Sequence, residues 1–215
     1  MQCAAPHGPL VGMEAPKPRG TGPHPDPPTD LASLVLPIRN WSELCWRSYQ
    51  IQWDPIHFGT IGDYRWDAPQ REYGVLYAAD SVECAFIETF PTEPRHVTWA
   101  QLEARGLAIL GCTRVLRLVD LTAEGAIQIG AQNQLGTGPD YAVAQRWSLA
   151  LHDHPSAPDG ILYHSRYDGS RRCLAVFDRA RDALVVAGQL RFDAPPVMTS
   201  LVRHLLETYN FALHR

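Results

Sequence analysis

The sequence has little of what marks the common enzyme classes. Its globular part contains no GxGxxG, P-loop, HExxH or GxSxG pattern, so Rossmann dinucleotide folds, P-loop NTPases, zinc proteases and α/β-hydrolases are poorly supported. The apolar runs fall far short of the roughly 18 to 20 residues that cross a bilayer. A formal net charge of −4 provides no broad basic surface, so we expect no direct nucleic-acid partner and no membrane span.

Lysine is almost absent and cysteine is sparse. Lys17 is the only lysine, so nearly every cationic side chain is an arginine. Arginine suits phosphate and carboxylate binding, although the codon bias of a genome explains the same composition. The five cysteines are odd in number, widely spaced and form no CxxC pair, which signals neither a disulfide framework nor a zinc site. With no apolar secretory segment at the N-terminus, we expect a soluble protein in a reducing cytoplasm.

The composition changes at about residue 30. Residues 1–30 hold eight of the 18 prolines and few large apolar side chains, and such a segment buries too little surface to offset its ordering entropy. We predict a flexible tail over residues 1–30 and one domain over residues 31–215. The length of 215 residues suits one domain with a substantial hydrophobic core.

Hydrophobic patterning predicts an α+β domain. Short apolar segments bounded by turn formers predict strands at residues 44–49, 74–79, 108–119, 160–164, 173–177 and 184–186. Helices are predicted after the N-cap Ser81, after the capping box of Thr98 and Gln101, over about residues 138–152, and from Met198 to Tyr209 at the C-terminus. Because strands and helices do not alternate regularly, this order favours α+β over a doubly wound sheet.

Two histidines in the segment LHDHP are the closest approach to a metal-binding pattern. His152 and His154 are two positions apart, but nothing nearby in the sequence supplies a convincing third ligand. A polar helix end is the simpler interpretation, and we predict no metal site.

Three longer segments carry a family resemblance. They read LCWRSYQIQWDPIHFGTIGDYRWDAPQREYGVLYAADSVECAFIETF, LRLVDLT and PDGILYHSRYDGSRRCLAVFDR, and they span most of residues 37–180. In their order and separations they resemble successive blocks of the RES domain, a family of toxins from bacterial toxin–antitoxin pairs. The Arg, Glu and Ser that give the family its name match Arg47, Glu88 and Ser165. Two further polar positions of the family match Arg65 and Tyr77.

The resemblance implies a fold and a substrate. It implies a compact domain similar to ADP-ribosyltransferases, with a central mixed or antiparallel sheet flanked by helices, that binds NAD without a Rossmann motif and breaks its nicotinamide–ribose bond. NAD is then a substrate, and no prosthetic group is expected. Glu88 would stabilise the oxocarbenium-like ribose, while Arg47 and Arg65 would bind the pyrophosphate. Tyr77 would stack on nicotinamide and Ser165 would donate to the ribose or the carboxamide.

Each of these residues also has an ordinary structural interpretation. Taken singly, Arg47 and Arg65 read as surface or salt-bridged arginines, and Glu88 as a solvated carboxylate near a helix end. Tyr77 reads as a core residue of a strand, and Ser165 as part of a turn. Their joint occurrence in blocks similar to those of one family is what favours a shared site.

Three hypotheses of function follow from the resemblance. The first is NAD degradation by hydrolysis or phosphorolysis, with growth arrest as its result. The second is ADP-ribosyl transfer to a protein target, and the third is a non-catalytic module that binds a nucleotide or a partner. A toxin of this type implies an antitoxin with an Xre-like helix-turn-helix, which would cover the cleft and carry any DNA binding. Self-association of the chain stays open.

Overall fold

The computed structural model describes residues 25–90, 95–122, 124–132 and 134–214. Ten strands are present in the described ranges: β1 (Ile38–Trp41), β2 (Cys45–Gln50), β3 (Val75–Ala79), β4 (His96–Thr98), β5 (Arg105–Cys112), β6 (Leu116–Asp120), β7 (Gly160–His164), β8 (Arg172–Phe177), β9 (Leu184–Arg191) and β10 (Ala212–His214). The α-helices are α1 (Val82–Ile87), α2 (Trp99–Glu103), α3 (Gly125–Gln128), α4 (Gln134–Thr137), α5 (Tyr141–His152), α6 (Pro195–Val197) and α7 (Arg203–Tyr209). Short 3₁₀ turns cover Leu31–Ser33 and Asp178–Ala183.

Eight of the strands form one mixed sheet in the order β1-β6-β7-β8-β3-β2-β5-β9. All neighbours in it are antiparallel except β6 and β7, and β4 and β10 form a separate parallel pair. The predicted α+β class, with a mixed sheet flanked by helices, is confirmed. In the described part of the chain, no helix combines the length and apolar character needed to cross a membrane.

Both faces of the central strands are buried. Successive side chains of a strand point to opposite faces, and β3 and β8 show this alternation. Leu76 and Val176 pack into a cluster on one face, while Val75 and Phe177 pack into a larger cluster on the other. The larger cluster includes buried side chains of α1, α5 and the C-terminal helix. Burial on both faces explains why these strands read as continuous apolar runs in the sequence.

Helix starts follow the sequence closely because capping is local. Ser81 Oγ accepts a hydrogen bond from the Cys84 N–H at 3.3 Å, which opens α1 as predicted. The predicted capping box is also present, with Thr98 Oγ1 accepting from the Gln101 N–H and Gln101 Oε1 accepting from the Thr98 N–H. Helix α1 has six residues, which is less than two turns, and Glu88 is its C-cap.

The predicted strand over residues 108–119 is wrong as a single element. The chain forms β5 and β6 instead, separated by the exposed residues 113–115. These two strands lie far apart in the sheet, since β5 pairs with β2 and β9 whereas β6 pairs with β1 and β7. Only Thr113 and Arg114 interrupt the apolar residues at the turn, and Val115 resumes the apolar pattern although it faces solvent.

The C-terminal helix is confirmed and starts three residues early. A π-helical turn over Met198–Val202 joins α6 to α7, and Val202 and Leu205 are fully buried. At the other end of the chain, residues 25–30 contact the domain although we assigned them to the tail. The Trp147 indole N–H donates to the Pro25 carbonyl at 2.9 Å, and Arg146 pairs with Asp26 at 2.6 Å. The rest of the predicted tail, residues 1–24, lies outside the described residues.

Candidate active site

The site lies where the sheet opens between β2 and β3. These strands pair at one register position, Trp46 opposite Ala79, whereas β2 pairs with β5 over its whole length and β3 does so with β8. The two strands therefore diverge, and the loop of residues 51–74 that joins them borders a cavity of about 710 Å³. That volume lies within the range of about 300–1,000 Å³ typical of small-molecule sites. Four of the five predicted site residues line the cavity: Arg47, Arg65, Tyr77 and Glu88.

Glu88 brings a solvent-accessible carboxylate to the cavity wall at the end of α1. Its Oε1 accepts two hydrogen bonds, one from Ser165 Oγ at 2.5 Å and one from the Arg166 N–H at 3.0 Å. No hydrogen bond from the described residues reaches Oε2. One oxygen of the carboxylate is thus held in place while the other stays available to a ligand.

Ser165 follows β7 and is buried beside the cavity wall. Its hydroxyl accepts hydrogen bonds from the Tyr167 N–H at 3.2 Å and the Asp168 N–H at 3.0 Å. Its single proton goes to Glu88. The hydroxyl therefore has the geometry of a positioning group for Glu88, and its predicted donation to the ribose or the carboxamide stays a prediction.

The half-buried Arg47 and the buried Arg65 both place guanidinium groups at the cavity. Arg47 Nη1 donates to the Tyr77 carbonyl at 3.4 Å, and Arg65 Nη1 donates to the Gly138 carbonyl at 2.7 Å. Arg47 Nε and Arg65 Nη2 are buried without a partner in the described structure. Burial removes water from both cations and lowers the pKa of each below its ordinary value. Neither cation has a carboxylate in salt-bridge contact among the described residues, so an anionic ligand would satisfy donors that the fold leaves open.

Tyr77 connects the sheet to the loop that carries Arg65. Its hydroxyl donates to Asp67 Oδ1 at 2.8 Å and accepts from the Trp66 N–H at 2.9 Å. Asp67 Oδ2 in turn accepts from the N–H groups of Gly62 and Tyr64. Burial raises the pKa of Tyr77 well above its ordinary value, so the phenol stays protonated and keeps this bond. The ring lines the cavity, which leaves its predicted stacking on nicotinamide as a prediction.

Several lining residues were not predicted. The main additions are a buried hydroxyl with no hydrogen-bond partner among the described residues, two more cations and three aromatic rings: Ser48, Arg105, Arg166, Trp53, His57 and Tyr64. Four arginines face two carboxylates around the cavity, so its lining is cationic although the whole chain is acidic. Arg166 had a usable signal, because it follows Ser165 directly. Arg105 had none, because only strand pairing brings it opposite Gln50.

The two histidines of LHDHP have other partners. The His152 ring stacks on the Tyr73 ring with centroids 3.9 Å apart, and His152 Nδ1 lies 2.7 Å from Asp153 Oδ1. Both ring nitrogens of His154 are engaged, one with Ser156 and one with the Leu34 carbonyl. Within the described ranges, no group of three or more His, Cys, Asp or Glu side chains is arranged to hold a metal.

Comparison with known families decides the classification. The model of the RES domain matches residues 44–195, which is well over half of the chain and includes every residue of the site named above. The chain belongs to the RES domain family. Arg47, Glu88 and Ser165 therefore lie inside the RES domain, as do the unpredicted Arg105 and Arg166.

Two known proteins are similar to this chain, one in sequence and one in structure. One is the "Probable toxin y4kH" of Sinorhizobium fredii (strain NBRC 101917 / NGR234), 32% identical over 87 residues that make up 40% of this chain and 68% of that protein. The other is a chain in the crystal structure of the M. tuberculosis MbcT–MbcA toxin–antitoxin complex. It is 22% identical with a TM-score of 0.59, and the match covers 78% of this chain and 92% of that one. This second likeness shows that the two chains share a fold.

Proposed function

We propose that this RES domain is the toxin of a toxin–antitoxin pair and that it degrades NAD by breaking the nicotinamide–ribose bond, which arrests growth. The likeness to the probable toxin y4kH and to a chain of the MbcT–MbcA toxin–antitoxin complex supports the toxin role. The arrangement of the Glu88 carboxylate is the observation that most supports NAD cleavage. One of the carboxylate oxygens is fixed by Ser165 and Arg166, and the other, at an arginine-lined cavity, accepts no hydrogen bond from the residues that the structure describes.

The chemistry of the bond suits this carboxylate. When the bond between ribose C1 and the nicotinamide nitrogen breaks, the electron pair leaves with nicotinamide and neutralises its ring, and positive charge develops on the ribose. A carboxylate already held in position stabilises that charge without reorganising during the reaction. An acceptor oxygen then bonds to C1 and releases its proton. The unpaired Oε2 of Glu88 is the group that we assign to the ribose.

Arg47 and Arg65 are suited to bind the pyrophosphate of NAD. The pyrophosphate is anionic, and a guanidinium fork pairs with phosphate oxygens better than a lysine ammonium does. Arg47 and Arg65 each hold a buried N–H without a partner in the described structure, and such donors are costly to leave unpaired. Binding of pyrophosphate would satisfy both.

The acceptor is distinguished by its product. Water gives ADP-ribose, phosphate gives ADP-ribose 1-phosphate, and a protein target gives a modified protein without bulk loss of NAD. Purified chain incubated with NAD in the presence and absence of phosphate, with products separated by mass, assigns one of the three. We expect the first or the second, because we propose bulk degradation of NAD.

A toxin requires a neutralising partner. We propose an antitoxin with an Xre-like helix-turn-helix that covers the cavity, a role supported by the toxin–antitoxin complex to which the fold is similar. Co-expression of the neighbouring reading frame should restore growth and copurify with the chain. Growth arrest that persists although both proteins are expressed would contradict this assignment.

The proposed activity is tested in growing cells. Induction of the chain should halt growth and lower cellular NAD, and Glu88→Gln should abolish both effects. The matched control is Glu83→Gln on the same helix, since Glu83 lies 3.7 Å from Arg171 and does not line the cavity. Growth arrest by the wild type with unchanged NAD, or an equal effect of the Glu88→Gln variant, would overturn the proposal.

A further inference from the structure

The cavity continues well beyond Glu88. Helix α1 follows β3 just after Ala79, the residue opposite Trp46, and it packs against both β2 and β3. Arg105 pairs with Gln50, four residues further along β2. At a rise of about 3.3 Å per residue, these two positions are about 13 Å apart along the strand. The cavity lining follows β2 from Trp46 to Gln50 and reaches Arg105 on β5. Glu88 is held by Ser165 after β7, which lies four strands from β5 in the sheet, so Glu88 and Arg105 approach the cavity from opposite sides.

The end near Arg105 carries aromatic surface that the fold does not bury. Trp53 and His57 both line the cavity, and their rings are stacked with centroids 4.8 Å apart and planes inclined by 22°. Trp53 remains 52% exposed and Tyr64, also a lining residue, 55% exposed. Such rings offer faces on which a flat heterocycle can stack.

Arg105 adds a charge to the same end. It lines the cavity, and in the part of the chain that the structure describes it has no hydrogen-bond or ion-pair partner. Its guanidinium is partly desolvated, which lowers its pKa and makes an unpaired cation there more costly. Aromatic faces beside a cation suit a nucleotide, because the base can stack on the rings and the phosphate can pair with the guanidinium.

We propose that Trp53, His57, Tyr64 and Arg105 form a second subsite, which binds the purine nucleotide half of the substrate while Glu88 acts on the other half. This assignment rests on the proposed function, because it takes the substrate to be a dinucleotide. It makes the aromatic end a source of affinity, with no part in breaking the bond.

Kinetics with a whole and a half substrate test the subsite. Trp53→Ala should raise the KM for NAD about tenfold, the size of one base-stacking contact, and leave kcat within about twofold. With nicotinamide mononucleotide, which lacks the purine half, the same variant should behave like the wild type. Trp53→Phe should restore the KM for NAD. The matched control is Trp99→Ala, since Trp99 is partly exposed on α2 and does not line the cavity.

Binding of ADP separates failure of the subsite from failure of the proposed function. Calorimetry on Glu88→Gln should show ADP binding that weakens about tenfold when Trp53→Ala or Arg105→Gln is added. If the wild type cleaves neither substrate, this measurement still decides the subsite. Equal ADP affinity with and without Trp53, or an equal rise in KM for both substrates, would overturn the proposal.

Discussion

Glu88 and Ser165 lie 77 positions apart in the sequence and meet in one hydrogen-bonded unit. The hydroxyl of Ser165 accepts hydrogen bonds from two backbone N–H groups and donates one to Glu88. Its orientation is therefore determined by the turn that follows β7. The position of the carboxylate is set by a rigid neighbour rather than by its own flexible side chain. Catalytic carboxylates gain from such preorganisation, since they need not move as charge develops.

Loss of the Ser165 hydroxyl should therefore impair turnover more than substrate binding. We predict that Ser165→Ala lowers kcat for NAD cleavage about tenfold, about 1.4 kcal/mol, while KM changes by less than about threefold. Steady-state kinetics measure both constants. Ser165→Thr keeps a hydroxyl and should recover part of kcat. A large rise in KM with unchanged kcat would assign Ser165 to substrate binding instead.

Tyr77 should prove important for stability as well as for the cavity. Tyr77→Phe removes the partner of the Trp66 N–H and one partner of Asp67, and we predict a loss of about 2 kcal/mol in the free energy of unfolding. Thermal denaturation should show Tm lower by roughly 4–8 °C. The control is Tyr64→Phe, because Tyr64 is exposed and its hydroxyl has no hydrogen-bond partner among the described residues. Equal Tm values for the two variants would contradict this role.

The positions of the site residues were predicted from the sequence, but their contacts were not. Arg47, Arg65, Tyr77 and Glu88 line one cavity, as their family-like blocks indicated. The partners of Ser165 depend on how one turn meets the end of α1, which no local pattern encodes. Trp53 and Arg105 were not predicted as site residues, because no local sequence pattern distinguishes them from other tryptophans and arginines. They line one cavity because β2 diverges from β3.

At the scale of elements, an ion pair between the exposed Arg114 and the buried Asp159 joins the turn before β6 to the start of β7. Asp159 accepts two hydrogen bonds from the Arg114 guanidinium, at 2.8 and 2.9 Å, and one from the Arg117 N–H at 2.8 Å. Burial by itself raises the pKa of Asp159, but these hydrogen bonds outweigh it, so the pKa lies below its ordinary value of 3.8. The Asp159 carboxylate thus ties β6 to β7, a parallel strand pair of the main sheet, at one end.

The sign of this shift predicts how stability depends on pH. Because the folded pKa is lowered, the contribution of Asp159 is complete above about pH 3.8 and is lost as the pH falls through the folded value. We predict that Asp159→Asn costs about 2 kcal/mol at pH 7, or roughly 4–8 °C in Tm, and that the difference from wild type narrows below pH 3.8.

Thermal unfolding measured from pH 7 to pH 3 checks this prediction. Asp193→Asn is the control, since Asp193 pairs with Arg191 at the surface, where an ion pair contributes little. A gap between wild type and Asp159→Asn that stays constant down to pH 3 would show that the carboxylate charge is not responsible.

Local sequence signals predicted where helices begin, but they did not predict which strands pair. The N-caps Ser81 and Thr98 were read correctly because a cap is determined by three or four neighbouring residues. The turn between β5 and β6 was missed because Thr113 and Arg114 interrupt the apolar residues only briefly, and the exposed Val115 resembles the start of a buried segment. Strand β1 and the parallel pair of β4 and β10 were also missed, since three or four residues show too little periodicity to predict a strand.

At the scale of the whole molecule, an acidic chain presents a cationic cavity. The net charge of the chain is −4, whereas Arg47, Arg65, Arg105 and Arg166 all line the cavity between β2 and β3. Composition alone excluded a broad basic face but not this concentration of charge. The α+β class was predicted from the order of elements, while the likeness to ADP-ribosyltransferases stays a prediction.

Release of nicotinamide from NAD by the purified chain tests the central claim most directly. We predict that wild type releases nicotinamide in step with NAD loss, and that Glu88→Gln is slower by about a hundredfold, about 3 kcal/mol, whereas Glu83→Gln matches wild type. Chromatography of the reaction mixture measures both compounds. NAD that binds but remains intact with the wild type would contradict the account and favour a binding module, as would a Glu88→Gln variant that turns over at the wild-type rate.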